Sequence, residues 1–281
     1  MLPGEEVLIQ QWEDWMMARG LSDTTIRQYK YAMYRLQGET RPAKALLDMG
    51  DGDVIGFLAS LGRRAAAKST YFRAFKSFYG WARAKGLLER DPTAGFRPKA
   101  AIEPPVDAFT KEEVVAILAT AKARSEKRYW AILLCYALGL RRSELVGIHS
   151  DDVDWQGRRV YIREAKGGRP RWVEANELAM DALRALMVMY PGGTAPQPIV
   201  GYAPNWFTMI VHQAATEAGL PRGRRNAHML RASFASHLIQ DGHSVPVVSR
   251  LLGHANIATT HRYAAVWEGD RRRAVDSLSL A

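Results

Sequence analysis

His228-Met229-Leu230-Arg231-Ala232-Ser233-Phe234-Ala235-Ser236-His237-Leu238 is the stretch on which the reading of this chain turns. Its apolar residues Leu230, Phe234 and Leu238 fall four apart, which predicts a helix over Met229–Gln240 with these three on its core stripe. His228 and Arg231 then share a face, because residues three apart on a helix are neighbours. An imidazole beside a guanidinium can move a proton and hold negative charge at one place. Two solvated polar residues would satisfy the same spacing, so the pair takes its meaning from its company.

That company lies on both sides. Upstream, Gly139-Leu140-Arg141-Arg142-Ser143-Glu144-Leu145 follows an apolar helix expected over Ser125–Leu138. A turn at the glycine can aim Arg141 inward, where its fork of donors fits a phosphate, with Glu144 to brace it. Downstream, Leu251-Leu252-Gly253-His254 leads to Tyr263, on helices expected over Val245–Leu252 and His254–Val266. Cleaving a phosphodiester needs a nucleophile in line, positive charge on the non-bridging oxygens and an acid for the leaving oxygen. Tyr263 could attack, but a phenol with a pKa of about 10 needs nearby cations to lower it. Arg141, Arg231 and His254 would supply that field.

The bulk properties fit such a substrate. The chain has 281 residues, which suggests two domains, and a net charge of +10, which predicts a polyanionic partner. Its single cysteine, Cys135, lies in an apolar run; this excludes an internal disulfide and a cysteine-built zinc site, and fits a reducing cytoplasm. Met1–Gln10 carries acids and lacks the basic start of a secretory signal. No apolar run approaches the roughly 18 residues needed to span a membrane. No glycine-rich phosphate loop follows a strand.

The first hundred residues read as four helices: Glu5–Arg19, a helix from the Ser22 cap to Gln37, Asp53–Leu61, and a helix from a Ser69 cap to Lys85. The fourth carries Phe72, Phe75, Phe78, Tyr79 and Ala82 as its core face. Arg63–Lys85 contains Lys68, Arg73, Lys76 and Arg83 among its cations and no acid, which suits a helix lying on DNA phosphates. A proline-rich stretch, Asp91–Ala108, reads as the linker between domain 1–90 and domain 109–281. The second domain opens at Thr110 and Glu113, which have capping-box spacing. It is again mainly helical, with helices also over Glu177–Met189 and Asn205–Ala218. Two short strands, Arg159–Arg163 and Arg171–Glu174, flank Lys166-Gly167-Gly168-Arg169-Pro170, a β-hairpin with a basic tip. Arg222, Arg224 and Arg225, just ahead of His228, are further candidates for the DNA backbone, a solvated basic loop being the alternative.

Taken together, Gly139–Leu145, His228–Leu238 and Leu251–Thr260 leading to Tyr263 resemble the tyrosine site-specific recombinases, or phage integrases, including the Xer recombinases. The segments occur in the family's order and approximate separations, and Lys166-Gly167-Gly168 resembles its strand-turn lysine. The resemblance implies a mainly α fold, with a four-helix core-binding domain followed by a catalytic domain holding a small antiparallel hairpin or sheet. It implies that Arg141 and Arg231 clamp the scissile phosphate, that His228 acts as acid and base, and that Lys166 protonates the leaving 5′ oxygen. His254 would hydrogen-bond the phosphate, Glu144 would support the site from behind, and Tyr263 would carry a 3′-phosphotyrosyl intermediate. The family uses no metal or nucleotide cofactor. It acts as a homotetramer on two core-type sites in double-stranded DNA, through a four-armed junction. The tail Trp267–Leu280, with Val275, Leu278 and Leu280, would pack on a neighbouring protomer.

The expected function is therefore DNA recombination by a cytoplasmic, nucleoid-associated enzyme without a membrane partner. The first helix begins almost at Met1 and leaves no room for an arm-binding domain, so a minimal phage or mobile-element integrase, acting in viral genome integration or excision, is favoured. A chromosomal Xer-type dimer resolvase is the alternative. A relaxing enzyme resembling type IB topoisomerases uses similar chemistry, and a non-catalytic DNA-binding protein would share the charge and the helices. The second of these does not explain why six chemically matched residues fall in register.

Overall fold

A computed structural model describes residues 4–99, 107–163, 170–189, 196–253 and 260. It is mainly helical with one small sheet, as the sequence predicts, and divides into two compact units, Met1–Glu103 and Pro104–Ala281. The division falls inside the proline-rich stretch.

The first unit holds α1 (Glu5–Ala18), α2 (Asp23–Glu39), α3 (Asp51–Ser60) and α4 (Ala65–Ala84). Ser22 caps α2 as expected, its hydroxyl accepting from the Thr25 amide. The core joins Trp12 and Met16 of α1, Met33 and Leu36 of α2, Phe57 of α3, and the α4 face of Phe72, Phe75, Phe78, Tyr79 and Ala82. Two details differ from expectation. The α4 helix begins at Ala65 after the Gly62 turn, with no side-chain cap, so Ser69 lies inside it. Three consecutive alanines, the strongest helix formers, extend the helix without needing a cap. The opening of the proline-rich stretch also packs on this unit: Thr93 is buried, and Phe96 meets Phe72 edge-on with ring centroids 5.7 Å apart.

The second unit holds α5 (Lys111–Arg124), α6 (Glu126–Ala137), the short α7 (Arg142–Val146), α8 (Glu177–Met189), α9 (Pro204–Glu217), α10 (His228–Gln240) and α11 (Val245–Leu252). Thr110 and Glu113 close the expected capping box on α5. The sheet runs β1 (Val153–Asp154), β2 (Arg159–Ile162), β3 (Arg171–Glu174), all antiparallel, with Ile162 opposite Arg171. The core is built on Ile132 and Leu134 of α6, Leu183 and Leu186 of α8, Phe207 and Val211 of α9, and Leu230 of α10. No described helix is long and apolar enough to cross a membrane.

The α10 helix differs from a one-sided amphipathic helix. Leu230 is buried, but so are Arg231, Ala232, Ser233, Ala235, Ser236 and His237, while Phe234 and Leu238 are only partly covered. It is a central helix packed on most of its circumference, and its small residues let neighbours close in. The start of the unit is tied to it: the Phe109 amide donates to Ser233 Oγ at 2.8 Å, and the Phe109 carbonyl lies 3.0 Å from His237 Nε2. Tyr136 Oη sits 2.8 Å from the other ring nitrogen. Burial lowers the His237 pKa, which fits a neutral ring donating from Nε2 to Phe109 and accepting from Tyr136.

Candidate active site

The site is assembled where the α6–α7 turn, β3, α10 and the end of α11 meet. Gly139 makes the turn at a φ of 59°, a left-handed conformation that glycine adopts at low cost. It is also a place of close approach, since a Cβ there would lie 2.4 Å from Cδ1 of Phe234. Cys135, at the end of α6, is buried and its thiol is pushed up to about 12 by that burial, so it is inert packing. The backbone then enters α7 with Arg141 as its N-cap.

Glu144 is the hub. Its side chain is fully buried. Arg141 donates to it twice, from its backbone N–H to Oε2 at 2.9 Å and from Nη1 to Oε1 at 2.6 Å. Arg171, the first residue of β3, donates both Nη groups to it, each at 3.1 Å. Arg231 brings Nη1 to 3.6 Å from Oε2. Burial by itself raises a carboxyl pKa, but the hydrogen bonds from Arg171 and from the Arg141 backbone outweigh it, and Glu144 is held below the usual range as a carboxylate.

Arg231 is 1% exposed, and its two Nη groups donate to the Gly139 carbonyl at 2.9 Å and the Leu252 carbonyl at 2.7 Å. Arg171 Nη2 reaches the same Leu252 carbonyl at 3.3 Å. Leu252 ends α11, and Gly253 after it is left-handed, with a φ of 64°. Three guanidiniums thus gather on one carboxylate and two main-chain carbonyls. The local charge is positive by two, in a place shielded from water, which is a strong attraction for an anion. Arg141 is the member of the cluster most open to solvent.

The structure therefore brings together Arg141, Glu144 and Arg231 from the sequence reading. His228 opens α10 one turn before Arg231, at an exposed position, while Arg231 lies beneath. Lys166, His254, Tyr263 and the tail Trp267–Leu280 lie outside the described residues. Arg163, the residue after β2, is clamped by Asp152 at 2.5 Å and Asp151 at 2.6 Å, which fixes one stem of the hairpin sequence.

The expected DNA-contacting residues separate into two kinds. Arg73, Lys76, Arg83 and Arg222 are exposed and Lys68 is half-buried; none of the five makes an ion pair among the described residues. Arg224 is instead committed to the protein, bonding Glu113 at 2.5 and 2.9 Å, Asp107 at 3.1 Å and the Ala108 carbonyl at 2.6 Å. Arg225 Nε donates to the Leu220 carbonyl.

The residue that sequence reasoning did not single out is Arg171. A signal for it existed. In β3 the buried Val173 and Arg171 share a face, while Trp172 and Glu174 are exposed on the other. An arginine on the inward face of a strand requires a buried partner.

A profile of the phage integrase family matches residues 107–269, a span that includes every member of this cluster. The chain belongs to the phage integrase family. It is a tyrosine recombinase, a DNA strand-transferring enzyme. Among curated proteins, the tyrosine recombinase XerD of Mycobacterium tuberculosis is 31% identical, over 91% of this chain and 94% of that protein. The tyrosine recombinase XerA of Thermococcus onnurineus is 26% identical, over 97% and 95%. Among solved structures, a lambda integrase dimer bound to a COC' core site matches with a TM-score of 0.75 at 17% identity, over 98% of this chain and 80% of that one. The XerH recombinase bound to its difH substrate matches with a TM-score of 0.67 at 19% identity, over 96% and 84%. At those identities the structural matches speak to the shared tyrosine recombinase fold.

Proposed function

We propose that this tyrosine recombinase cleaves core-type sites in double-stranded DNA through a 3′-phosphotyrosyl intermediate on Tyr263. The observation that carries the proposal is the Glu144-centred cluster, in which Arg141 and Arg231 converge beside the end of α11 with an excess of positive charge. In the step proposed, the Tyr263 oxygen attacks the scissile phosphorus, a phosphorus–oxygen bond to tyrosine forms, and the bond to the 5′ oxygen breaks. His228 accepts the phenolic proton, and Lys166 donates a proton to the departing 5′ oxygen. Arg141, Arg231 and His254 bind the non-bridging oxygens, whose charge is spread most widely in the transition state. One phosphate ester replaces another, so the reverse attack by a 5′ hydroxyl reseals a strand without an outside energy source.

The four-helix first unit is the core-site binding domain in this reading. Support comes from the exposed cations Arg73, Lys76 and Arg83 on α4, which have no carboxylate partners among the described residues. Arg222, on the loop before α10, is the corresponding phosphate contact in the second unit. Structural relatives crystallised as a dimer on a core site and as a tetramer on a Holliday junction support assembly of a homotetramer on two sites. The biological outcome is integration and excision of a mobile element or resolution of chromosome dimers. Both use the same strand exchange.

The test begins with fragments of the source replicon selected by binding and footprinted. A duplex nicked beside the cleavage position releases a short fragment after attack, so the covalent complex accumulates. The account requires protein attached to a 3′ phosphate with a free 5′ hydroxyl opposite. Protein on a 5′ phosphate, or a binding protein that leaves the duplex intact, would contradict it.

A further inference from the structure

We propose that Arg171 is a positioning residue of the strand-transfer site, locking the phosphate-clamping arginines to the end of α11. The inference rests on the assignment of Arg141 and Arg231 as that clamp. Its basis is a closed circuit of bonds. Arg171 forks onto both oxygens of Glu144 at 3.1 Å and reaches the Leu252 carbonyl at 3.3 Å. Arg231 holds the same carbonyl at 2.7 Å and the Gly139 carbonyl at 2.9 Å. Arg231 Nη1 closes the circuit 3.6 Å from Glu144 Oε2, and Arg141 joins it at the same carboxylate. One guanidinium therefore touches the carboxylate that braces Arg141 and the carbonyl that braces Arg231, the latter on the residue two before His254.

An ordinary buried ion pair would need only Glu144 and one cation. Here a second arginine already satisfies much of Glu144, and the extra bond goes to a carbonyl shared with Arg231. The chain also makes room for Arg171. Gly253 is left-handed, and a Cβ on it would lie 2.6 Å from Nε and 2.8 Å from Cδ of Arg171. Glycine at this position thus serves two needs, the backbone turn and the passage of a guanidinium stem. Lysine in place of Arg171 would keep the charge but lose the planar fork that spans two carboxylate oxygens and a carbonyl together.

The test uses the full chain with Arg171→Gln, Arg171→Lys and Gly253→Ala, the last crowding Arg171 while also straining the left-handed turn. Each is measured for core-site affinity, melting temperature and single-turnover adduct formation at saturating DNA. Two substrates are compared, the natural phosphodiester and a methylphosphonate at the scissile position. The neutral methylphosphonate makes less demand on an arginine clamp. Misplacing a clamp by an ångström costs about 100-fold in rate, so Arg171→Gln and Gly253→Ala should slow adduct formation about 10- to 100-fold on the phosphodiester with affinity nearly unchanged. On the methylphosphonate the deficit should shrink to a few-fold, and Arg171→Lys should fall between wild type and Arg171→Gln. Equal deficits on both substrates, tracking a lowered melting temperature, would make Arg171 a stability element only. Full activity in Arg171→Gln or Gly253→Ala would overturn the inference outright. Failure of the wild-type protein to form any adduct would instead sink the recombinase chemistry itself, and this inference with it.

Discussion

Replacing Glu144 by glutamine should destabilise the protein strongly at neutral pH and by up to about 1 kcal/mol less at about pH 3.5. The size follows from the four bonds Glu144 accepts. Oε1 receives Arg141 Nη1 and Arg171 Nη1, and Oε2 receives the Arg141 N–H and Arg171 Nη2. Glutamine turns one oxygen into a donor, so whichever way the amide is placed, two of these bonds are lost and donors face donors. Hydrogen bonds to charged groups are worth about 1.5–3 kcal/mol each. Arg141 and Arg171 are partly exposed, with side-chain exposures of 25% and 16%, and can recover some hydration. The expected loss is therefore near the lower end of that sum, about 3–4 kcal/mol, within the range for breaking one side of a buried ion pair. The pH dependence has a definite sign. Glu144 has a lowered pKa in the folded protein, so its contribution is complete above the ordinary glutamate value of about 4.3 and is lost as pH falls through the lower folded value. Urea unfolding followed by circular dichroism, from about pH 7.5 down to about pH 3.5, measures both features. A gap below about 1 kcal/mol at neutral pH, or one that stays constant into acid, would refute the assignment of Glu144 as an ionised hub.

Gly139→Ala combines a left-handed backbone with a Cβ 2.4 Å from the Phe234 ring. It should cost about 2–4 kcal/mol, read as a fall in melting temperature, and a loss under 1 kcal/mol would mean the ring has somewhere to go. Arg224→Ala should lower stability by about 1–3 kcal/mol through its lost ties to Glu113, Asp107 and Ala108, while leaving the salt dependence of DNA binding unchanged. Arg222→Ala should do the reverse, weakening binding with a shallower salt slope; gel-shift titrations across salt concentrations separate the two. The double variant Arg73→Ala, Lys76→Ala should reduce the slope of log K against log salt by about 2 if both residues meet phosphates, and leave it unchanged if the α4 face is merely solvated.

Much of the fold was legible because it depends on local chemistry. Ser22 and Thr110 cap their helices through side-chain oxygens, and the α8 and α11 boundaries coincide with the apolar pattern. The Ser69 cap was misplaced because a cap residue is a signal only where the chain would otherwise break, and Ala65–Ala67 continue the helix past it. The five-residue α7 and the two-residue β1 are too short to carry a period. Within the site, Arg141, Glu144 and Arg231 were readable from motif and spacing. Their convergence was not, because it joins residues 27, 81 and 92 apart in the chain. Arg171 shows the same limit: its place on the inward face was in the strand's alternation, but its partners come from α7 and α11. Arg224 shows the converse. It stands in a basic loop and reads as a DNA contact, yet Asp107 and Glu113, more than a hundred residues away in sequence, hold it.

The measurement closest to the central claim is the identity of the residue that holds the DNA. The covalent complex trapped on a nicked core-site duplex would be digested with protease and nuclease, and the nucleotide-bearing peptide sequenced by mass spectrometry. The account predicts the nucleotide on Tyr263, and no trapped complex from Tyr263→Phe although that variant still binds and footprints the site. A nucleotide on any other residue, or an undiminished adduct from Tyr263→Phe, would contradict it.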